Sequence, residues 1–505
     1  MASQNPHQLH IVLFPLMSPG HFIPIFDMAK LLAQNGPTVT IITTSLIATR
    51  FRHTIDRAAA SGLPLRLLDL TFPCAEAGLP NGCETLESAT SPDLLKKFFV
   101  AIYMLRQPFQ QVLERLEPKP TCMIVDKYIP WASETAREFR MPRIVFDVMS
   151  CFYQLCFHTL NVSKVHENVA DESEPFVLPN LPDTIAMTKS QLPGLFNPGS
   201  SDGVYAKEFR ERVGVAEAEA YGIVLNTFDD LEQRYIDEIR KVKGGKIWCI
   251  GPLSLCNKDT LDKAQRGGDK ASNSIDETKC LKWLDEQETG SVIYACLGSM
   301  SRLSSPQLIE LGLGLELSKR PFVWVIRRGD EKADEVCKWI EGDGFEERVK
   351  ERGLIIRGWA PQVVILDHPS VGAFLTHCGW NSTLEGVCAG LPMVTWPIFA
   401  EQFFNEKLVG VVLEIGVSVG ARAAVHMFDE DKGGVAVERE AVRNAVEEVM
   451  GGGVEAEKRR KRARDYKEMA EKAVENGGSS NLNVKSMIQD IMEQVNAMGP
   501  TEEHQ

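Results

Sequence analysis

The sequence has no apolar run of the 18 or so residues that would cross a bilayer. Its opening stretch, MASQNPHQLH, has no charged start followed by an apolar segment, so it does not resemble a secretory signal. The 12 cysteines include no CxxC pair, the spacing typical of zinc sites and redox motifs. These absences predict a cytoplasmic protein without stable membrane insertion, whose cysteines are reduced and mostly buried.

Positive charge is also scarce. Lys and Arg together number 55 against 69 Asp and Glu, which gives a formal net charge of −14. Nucleic-acid binding normally needs a basic patch, so no DNA or RNA partner is expected. A GxGxxG loop after the first strand is missing too, because the corresponding stretch, SPGHFIP, contains one glycine. The sequence therefore argues against a Rossmann dehydrogenase.

What the chain does contain is a repeated strand, loop and helix pattern, and its 505 residues exceed the roughly 250–300 of a single core. Short apolar runs such as 10–14 and 122–125 suit buried parallel strands. The polar stretch 253–278 interrupts the pattern, which then restarts. We predict two α/β domains, 1–252 and 279–480, joined by this stretch as a linker, with ligands at the carboxyl ends of the strands.

The segment 359–402 concentrates side chains suited to a diphosphate. A strand is predicted to end at Thr376 and a helix to begin near Asn381. The first amides of a helix have no internal partner and attract anions, so this helix start could hold a diphosphate with His377, Asn381 and Ser382. Ser299, after another predicted strand, could add a second phosphate contact.

The same segment offers partners for a base and for sugars. Trp359 has a flat face on which a base could stack, and Glu385 could accept from two adjacent ribose hydroxyls. Glu401 and Gln402 supply acceptors and a donor suited to sugar hydroxyls. Each residue alone is common in cores, loops or helix faces, so the prediction rests on their combination.

As a whole, this segment resembles the plant secondary-product glycosyltransferase box, the donor-binding motif of family 1 UDP-sugar transferases. It opens with WAPQ at position 359, continues with HCGWNSTLE from 377, and closes with EQ at 401 and 402. Its 44 residues equal the length of the family's box. The Gly20-His21 pair, Asp126 and the late GGSS at 477–480 extend the resemblance over nearly the whole chain.

The resemblance implies a GT-B fold, with two facing Rossmann-like domains and a last helix that crosses back to the first domain. In this chain that helix is predicted at Leu482–Val495, within 481–505. The implied UDP-binding residues are Ser299, Trp359, Ala360, Gln362, His377, Asn381, Ser382 and Glu385, and the implied sugar-binding residues are Trp380, Glu401 and Gln402. Glu401 stands where many members have aspartate, which keeps the carboxylate on a longer arm.

His21 is the candidate general base, in a loop predicted after the first strand. An imidazole near its ordinary pKa can take a proton from a hydroxyl at neutral pH, and a carboxylate behind it can stabilise the imidazolium. Asp126, at the end of the strand 122–125, matches the family's partner aspartate. Both catalytic residues are therefore expected at strand ends of the first domain.

The activity implied is transfer of glucose from UDP-glucose, with inversion, to a hydroxyl of a small lipophilic plant metabolite. Flavonoid, triterpenoid and other phenolic acceptors all remain open. UDP-glucose is a co-substrate, no cofactor or metal is expected, and the protein is expected to be a monomer. In the family, glutamine at the position of Gln402 goes with glucose and histidine with galactose.

Two alternatives remain: a non-catalytic nucleotide-sugar or small-molecule binding protein on the same fold, and the same enzyme class with another UDP-sugar. The acceptor pocket is expected from the segments 79–90, 146–157 and 191–205. Its candidate apolar residues are Phe152, Phe157, Leu195 and Phe196.

Overall fold

The computed structural model describes residues 9–196, 203–266, 277–300, 303–327, 331–425 and 435–498. In this part of the chain, two parallel sheets are each flanked by helices, as predicted for a GT-B fold. The first sheet has seven strands: β1 (His10–Phe14), β2 (Thr38–Thr44), β3 (Leu65–Leu70), β4 (Cys122–Asp126), β5 (Arg143–Asp147), β8 (Gly222–Leu225) and β9 (Lys246–Cys249), with β6 (Phe176–Val177) and β7 (Ala186–Met187) forming a separate antiparallel pair. The second sheet has six: β10 (Val292–Cys296), β11 (Phe322–Ile326), β12 (Gly353–Arg357), β13 (Val371–Thr376), β14 (Met393–Thr395) and β15 (Gly416–Ser418).

The strand order places the functional segments. The first sheet runs β3-β2-β1-β4-β5-β8-β9 and the second β12-β11-β10-β13-β14-β15, so each order reverses once. The reversal lies between β1 and β4 in one sheet and between β10 and β13 in the other. Ligands of open α/β sheets bind outside the carboxyl ends at such a reversal. The segments that follow these four strands therefore form the expected binding edges.

Helices cover both faces of the sheets. In the first half of the chain they are Pro19–Gln34, Ser45–Ala60, Pro92–Met104, Arg106–Arg115, Ala132–Glu138, Cys151–Ser163, Gly203–Ala218, Asp229–Lys243, Leu253–Cys256 and Thr260–Gln265. In the second half they are Glu277–Asp285, Ser305–Leu317, Glu331–Gly342, Phe345–Val349, Gln362–Leu366, Trp380–Ala389, Gln402–Lys407, Arg439–Met450, Val454–Val474 and Ser479–Met498. Among the described residues, no helix is both long enough and apolar enough to span a bilayer.

The last helix, Ser479–Met498, packs against the first sheet. Val484, Met487 and Ile491 are buried in the same apolar core as β1 and β4. At its outer side, Asp490 accepts a hydrogen bond of 3.0 Å from the indole N–H of Trp248. The end of the chain is thereby held on the N-terminal domain.

The predicted linker 253–278 is more ordered than its polar composition suggested, although residues 267–276 lie outside the described part. It contains the helices Leu253–Cys256 and Thr260–Gln265. The carboxylate of Asp262 in the second helix is buried and is paired with Lys30 and Arg57 of the first domain. The carboxylate of Asp262 is therefore engaged in ion pairs with the first domain, which the composition of the linker does not reveal.

Candidate active site

The carboxyl ends of the two sheets face one another across a cavity of about 1050 Å³. Residues from both domains line it, and they include every residue predicted to bind UDP or the sugar, together with His21: Ser299, Trp359, Ala360, Gln362, His377, Trp380, Asn381, Ser382, Glu385, Glu401 and Gln402. Asp126 does not line the cavity but lies directly behind His21. The structure therefore brings residues distant in sequence into one site.

His21 lies in the first turn of the helix Pro19–Gln34, not in the predicted loop. The sequence Ser18-Pro19-Gly20 suggested a break in structure, yet Pro19 occupies the first helical turn, where its missing N–H has no partner to lose. The Nδ1 atom of His21 is 2.7 Å from Oδ2 of Asp126, at the end of the adjacent strand β4. Pairing of β1 with β4 sets this approach, because it aligns the ends of the two strands.

Charge around His21 favours its protonated form. Burial by itself would lower the pKa of His21, but the adjacent Asp126 carboxylate raises it, and more distant Asp147 and Glu401 act in the same direction. The net result is a raised pKa. Asp126 is fully buried and its other oxygen accepts a 3.0 Å hydrogen bond from the amide of Tyr128. With Nδ1 engaged, Nε2 is the ring nitrogen left for a substrate.

His377 has the opposite environment. Burial lowers its pKa to about 4, and its Nδ1 has no hydrogen-bond partner among the described residues. A side chain at Gly298 would bring its Cβ within 2.5 Å of the His377 ring, and one at Gly379 within 2.5 Å of Nε2. Glycine at both positions makes room for this neutral imidazole beside the start of the helix Trp380–Ala389.

That helix start also contacts the first domain directly. The amide nitrogen Nδ2 of Asn381 donates to the carbonyl oxygen of Gly20 at 2.6 Å. The indole N–H of Trp380 donates to the carbonyl oxygen of Asn226 at 2.8 Å. The first backbone hydrogen bond of this helix runs from the amide N–H of Thr383 to the carbonyl oxygen of Gly379. The amides that precede Thr383 at the helix start are therefore not used within the helix.

Glu385, the predicted ribose-binding residue, already has two partners. Gln362 donates to its Oε2 at 2.7 Å, and Arg266 forms an ion pair with its Oε1. Arg266 also donates to Asp27 of the first domain at 2.8 Å. Burial would lower the pKa of Arg266, but these two carboxylates raise it. A cation from the predicted linker is thus paired with the carboxylate that is expected to bind ribose, a contact that the sequence does not indicate.

The remaining predicted residues fit the cavity in different ways. Trp359 is half-buried and its Nε1 has no hydrogen-bond partner in the described part of the chain. Burial raises the pKa of Glu401, against the opposing effect of nearby backbone amides and His21. Gln402 differs from expectation, because its Oε1 accepts from the amides of Ile398 at 2.8 Å and Phe399 at 3.1 Å. The side-chain amide of Gln402 therefore has only its Nε2 donor available to a sugar.

The apolar half of the cavity is built from other residues than predicted. Phe152 is fully buried against Tyr235, while Phe157 and Phe196 pack on each other at 5.4 Å. None of these three, nor Leu195, lines the cavity. The apolar and aromatic residues that do line it include Leu86, Leu95, Phe99, Tyr128, Val148, Met149 and Phe209. All three predicted segments contribute, 191–205 through Pro193 and Gly194, but Phe99 and Phe209 lie outside them.

Known proteins resemble this chain over most of its length. The family model described as "UDP-glucoronosyl and UDP-glucosyl transferase" matches residues 240–452. UDP-glycosyltransferase 73C3 of Arabidopsis thaliana is 49% identical over 498 residues, covering 98% of this chain and 99% of the relative. UDP-glycosyltransferase 73C11 of Barbarea vulgaris is 48% identical over the same length and coverage.

Solved structures also resemble this chain over most of its length. The structure of UGT73P12 from Glycyrrhiza uralensis, complexed with glycyrrhetinic acid 3-O-monoglucuronide, has a TM-score of 0.89 at 35% identity, covering 97% of this chain and 96% of that one. Phytolacca americana UGT2, complexed with UDP-2fluoro-glucose and pterostilbene, has a TM-score of 0.72 at 26% identity, with 96% and 99% covered. This chain belongs to the plant family 1 UDP-glycosyltransferases and has their GT-B fold.

The raised pKa of His21 predicts the pH dependence of transfer. A base must be unprotonated, so kcat/KM should fall as pH drops through a pKa above the ordinary 6.5. Asp126→Asn removes the carboxylate that raises this pKa. We expect the acidic limb to move to lower pH, and kcat/KM at its plateau to fall by about 10²-fold or more.

The matched control is Asp69→Asn, at the end of strand β3, where the carboxylate pairs with Arg52 at the surface. It should keep both the wild-type limb and the wild-type rate. An Asp126→Asn profile with an unshifted acidic limb would contradict the assigned pairing.

The Arg266 contact predicts a competition for Glu385. A ribose can use this carboxylate only after Arg266 moves away, so Arg266→Gln should lower the Kd of UDP about 3–10-fold. Calorimetry with UDP measures the effect. Lys263→Gln, which removes a charge from the preceding turn of the same cavity wall, should change the Kd less. A higher Kd in Arg266→Gln would instead show that the arginine helps to hold the nucleotide.

Proposed function

Starting from membership of this family, we propose that the chain is an inverting UDP-glucose-dependent O-glucosyltransferase. It transfers glucose to a hydroxyl of a small lipophilic plant metabolite, a flavonoid, triterpenoid or other phenolic, and forms a β-O-glucoside. The observation that carries the proposal is the His21–Asp126 pair, 2.7 Å apart, on the same cavity as the start of the helix Trp380–Ala389. We further propose a cytoplasmic, monomeric protein.

In this reaction, Nε2 of His21 accepts the proton of the acceptor hydroxyl while Asp126 stabilises the resulting imidazolium. The deprotonating oxygen attacks the anomeric carbon as the bond to UDP breaks. A single displacement of this kind converts an α-linked donor into a β-glucoside. Tyr128, whose ring is edge-on to His21 at 5.6 Å, lies on the acceptor side and limits how the imidazole can turn.

Charge that develops on the leaving UDP is met by fixed donors. In the proposed complex, the free amides at the start of the helix Trp380–Ala389 bind the diphosphate together with Asn381, Ser382 and Ser299, a role supported by their position on the cavity. His377 stays neutral at physiological pH because its pKa is about 4, so it can donate from one ring nitrogen without adding charge. The proposed step is completed by these groups and requires no metal.

The nucleoside and the sugar occupy opposite ends of this donor site. Trp359 offers its face to uracil, with the Ala360 backbone at the edge of the base. Glu385, positioned by Gln362, takes the ribose hydroxyls. Trp380, Glu401 and Gln402 surround the glucose. Since Oε1 of Gln402 holds two backbone amides, Gln402 acts as a donor, and Glu401 is the acceptor for sugar hydroxyls.

The acceptor class is supported by the apolar half of the cavity. Aromatic and aliphatic side chains next to His21 suit a lipophilic scaffold that presents one hydroxyl to the base. The ligands of the solved relatives, glycyrrhetinic acid 3-O-monoglucuronide and pterostilbene, support acceptors of this kind. Because glycyrrhetinic acid 3-O-monoglucuronide carries glucuronic acid and not glucose, another UDP-sugar remains the alternative donor.

A competition experiment tests both the activity and the donor. Uniformly ¹³C-labelled UDP-glucose and unlabelled UDP-galactose are supplied at equal concentration with flavonoid, triterpenoid and simple phenolic acceptors, and products are separated by mass. Because a galactose 4-hydroxyl would leave part of the polar site around Glu401 and Gln402 unpaired, we expect glucose products to exceed galactose products by at least about tenfold. Equal or greater galactose incorporation would contradict glucose as the donor sugar.

His21→Ala is the control for catalysis. It should abolish product formation while leaving the Kd of UDP near the wild-type value, because His21 does not contact the proposed nucleotide site. A wild-type protein that binds UDP without releasing it from UDP-glucose in the presence of any acceptor would favour the binding-protein alternative. More than half of the wild-type turnover in His21→Ala would rule out this base.

A further inference from the structure

Within the described part of the chain, one arginine of the cavity wall lacks an ion-pair partner. Arg210, on the helix Gly203–Ala218, lines the cavity. Its Nη1 is shielded from solvent and has no hydrogen-bond partner among the described residues. No carboxylate of these residues lies within ion-pair distance, 4.0 Å, of the Arg210 guanidinium. Burying part of an unpaired charge is costly, so the surroundings of Arg210 favour an anion.

Other cations of the same cavity are differently placed. Arg266 is paired with Asp27 and Glu385. Arg50 lies close enough to Glu87 to oppose the burial that raises the pKa of this carboxyl. Arg210 therefore differs from Arg266 in having no ion pair with a carboxylate of the described residues.

The position of Arg210 relative to the base follows from a row of aromatic rings. The ring of Tyr128 lies 5.6 Å from His21, and Phe209 lies parallel to Tyr128 at 6.4 Å, with an interplanar angle of 14°. Phe99 extends the row, 4.6 Å from Phe209. Arg210 follows Phe209 directly, and its charge opposes the burial that raises the pKa of Tyr128 to about 12. The guanidinium thus lies in the cavity wall near Tyr128, the ring that contacts His21.

The geometry points to an acceptor that is itself an anion: a lipophilic molecule whose scaffold lies along Tyr128 and Phe209, with a hydroxyl at His21 and a carboxylate at Arg210. This inference rests on the proposed function and narrows its acceptor class. A guanidinium matches a carboxylate in shape and can donate two parallel hydrogen bonds to it. Arg210 would be a specificity-determining residue, since it touches the substrate but takes no part in proton transfer.

Matched acids and esters test the inference. The probes are 4-hydroxycinnamic acid and oleanolic acid, each compared with its methyl ester, which keeps the hydroxyl and the scaffold but removes the charge. Calorimetry in the presence of UDP gives the Kd of each probe, and mass detection of product with UDP-glucose gives kcat/KM. In the wild type, at least one acid should bind about tenfold more tightly than its ester.

Three variants identify the cause of that difference. Arg210→Gln should make acid and ester bind equally while leaving the Kd of the ester unchanged. Arg210→Lys should retain part of the preference, because it keeps the charge but not the planar fork. Arg212→Gln, an exposed arginine on the same helix, should keep the full preference.

The outcomes separate this inference from the proposed function. Equal Kd values for acid and ester in the wild type, no measurable binding of either acid, or an undiminished preference in Arg210→Gln would overturn the inference. If esters are glucosylated but acids have no advantage, the inference fails and the transferase proposal stands. If the acids bind through Arg210 but no product forms, the proposed transfer fails and the anion site stands.

Discussion

The hydrogen bond from Asn381 to the carbonyl oxygen of Gly20, 2.6 Å across the cleft, is the contact on which the rest of the site depends. It joins the start of a helix in the second domain to the residue just before His21 in the first. Each partner lies at the strand-order reversal of its own sheet, where parallel strands leave their carboxyl ends open. The residue proposed as the base in one domain and the helix start proposed to bind the diphosphate in the other therefore line a single cavity.

Within this cavity, the pKa values of two buried histidines are shifted in opposite directions. His21 has Asp126 behind it and a raised pKa, whereas His377 lies against Gly298 and Gly379 and has a pKa of about 4. Environments that separate the pKa values of similar groups are a recurring way to divide roles within one site. The first imidazole is suited to receive a proton, and the second remains neutral beside the position proposed for the diphosphate. On the same cavity, the charge of Glu385 is paired with Arg266.

The second-domain part of the site was largely predictable from local sequence. The short segment around His377 itself contains the signals for a strand, a turn and the start of a helix. The bounds of β1 agree with the apolar run 10–14, and β13 ends at Thr376 as predicted. What sequence missed depends on distant partners: Arg266 reaches Glu385 across 119 positions, and Phe209 joins Tyr128 from a separate helix. His21 was placed in a loop because proline and glycine suggested a break, although proline is well suited to a first helical turn.

In the proposed reaction, an acceptor oxygen activated by His21 of one domain displaces UDP held by the other domain in a single step. The stereochemistry of the first product tests this claim most directly. With UDP-α-glucose as donor, proton NMR of the product collected at early times should show the large coupling between the anomeric proton and its neighbour that marks a β-glucoside. A first product with the small coupling of an α-glucoside would contradict a single displacement and with it the role given to the His21–Asp126 pair.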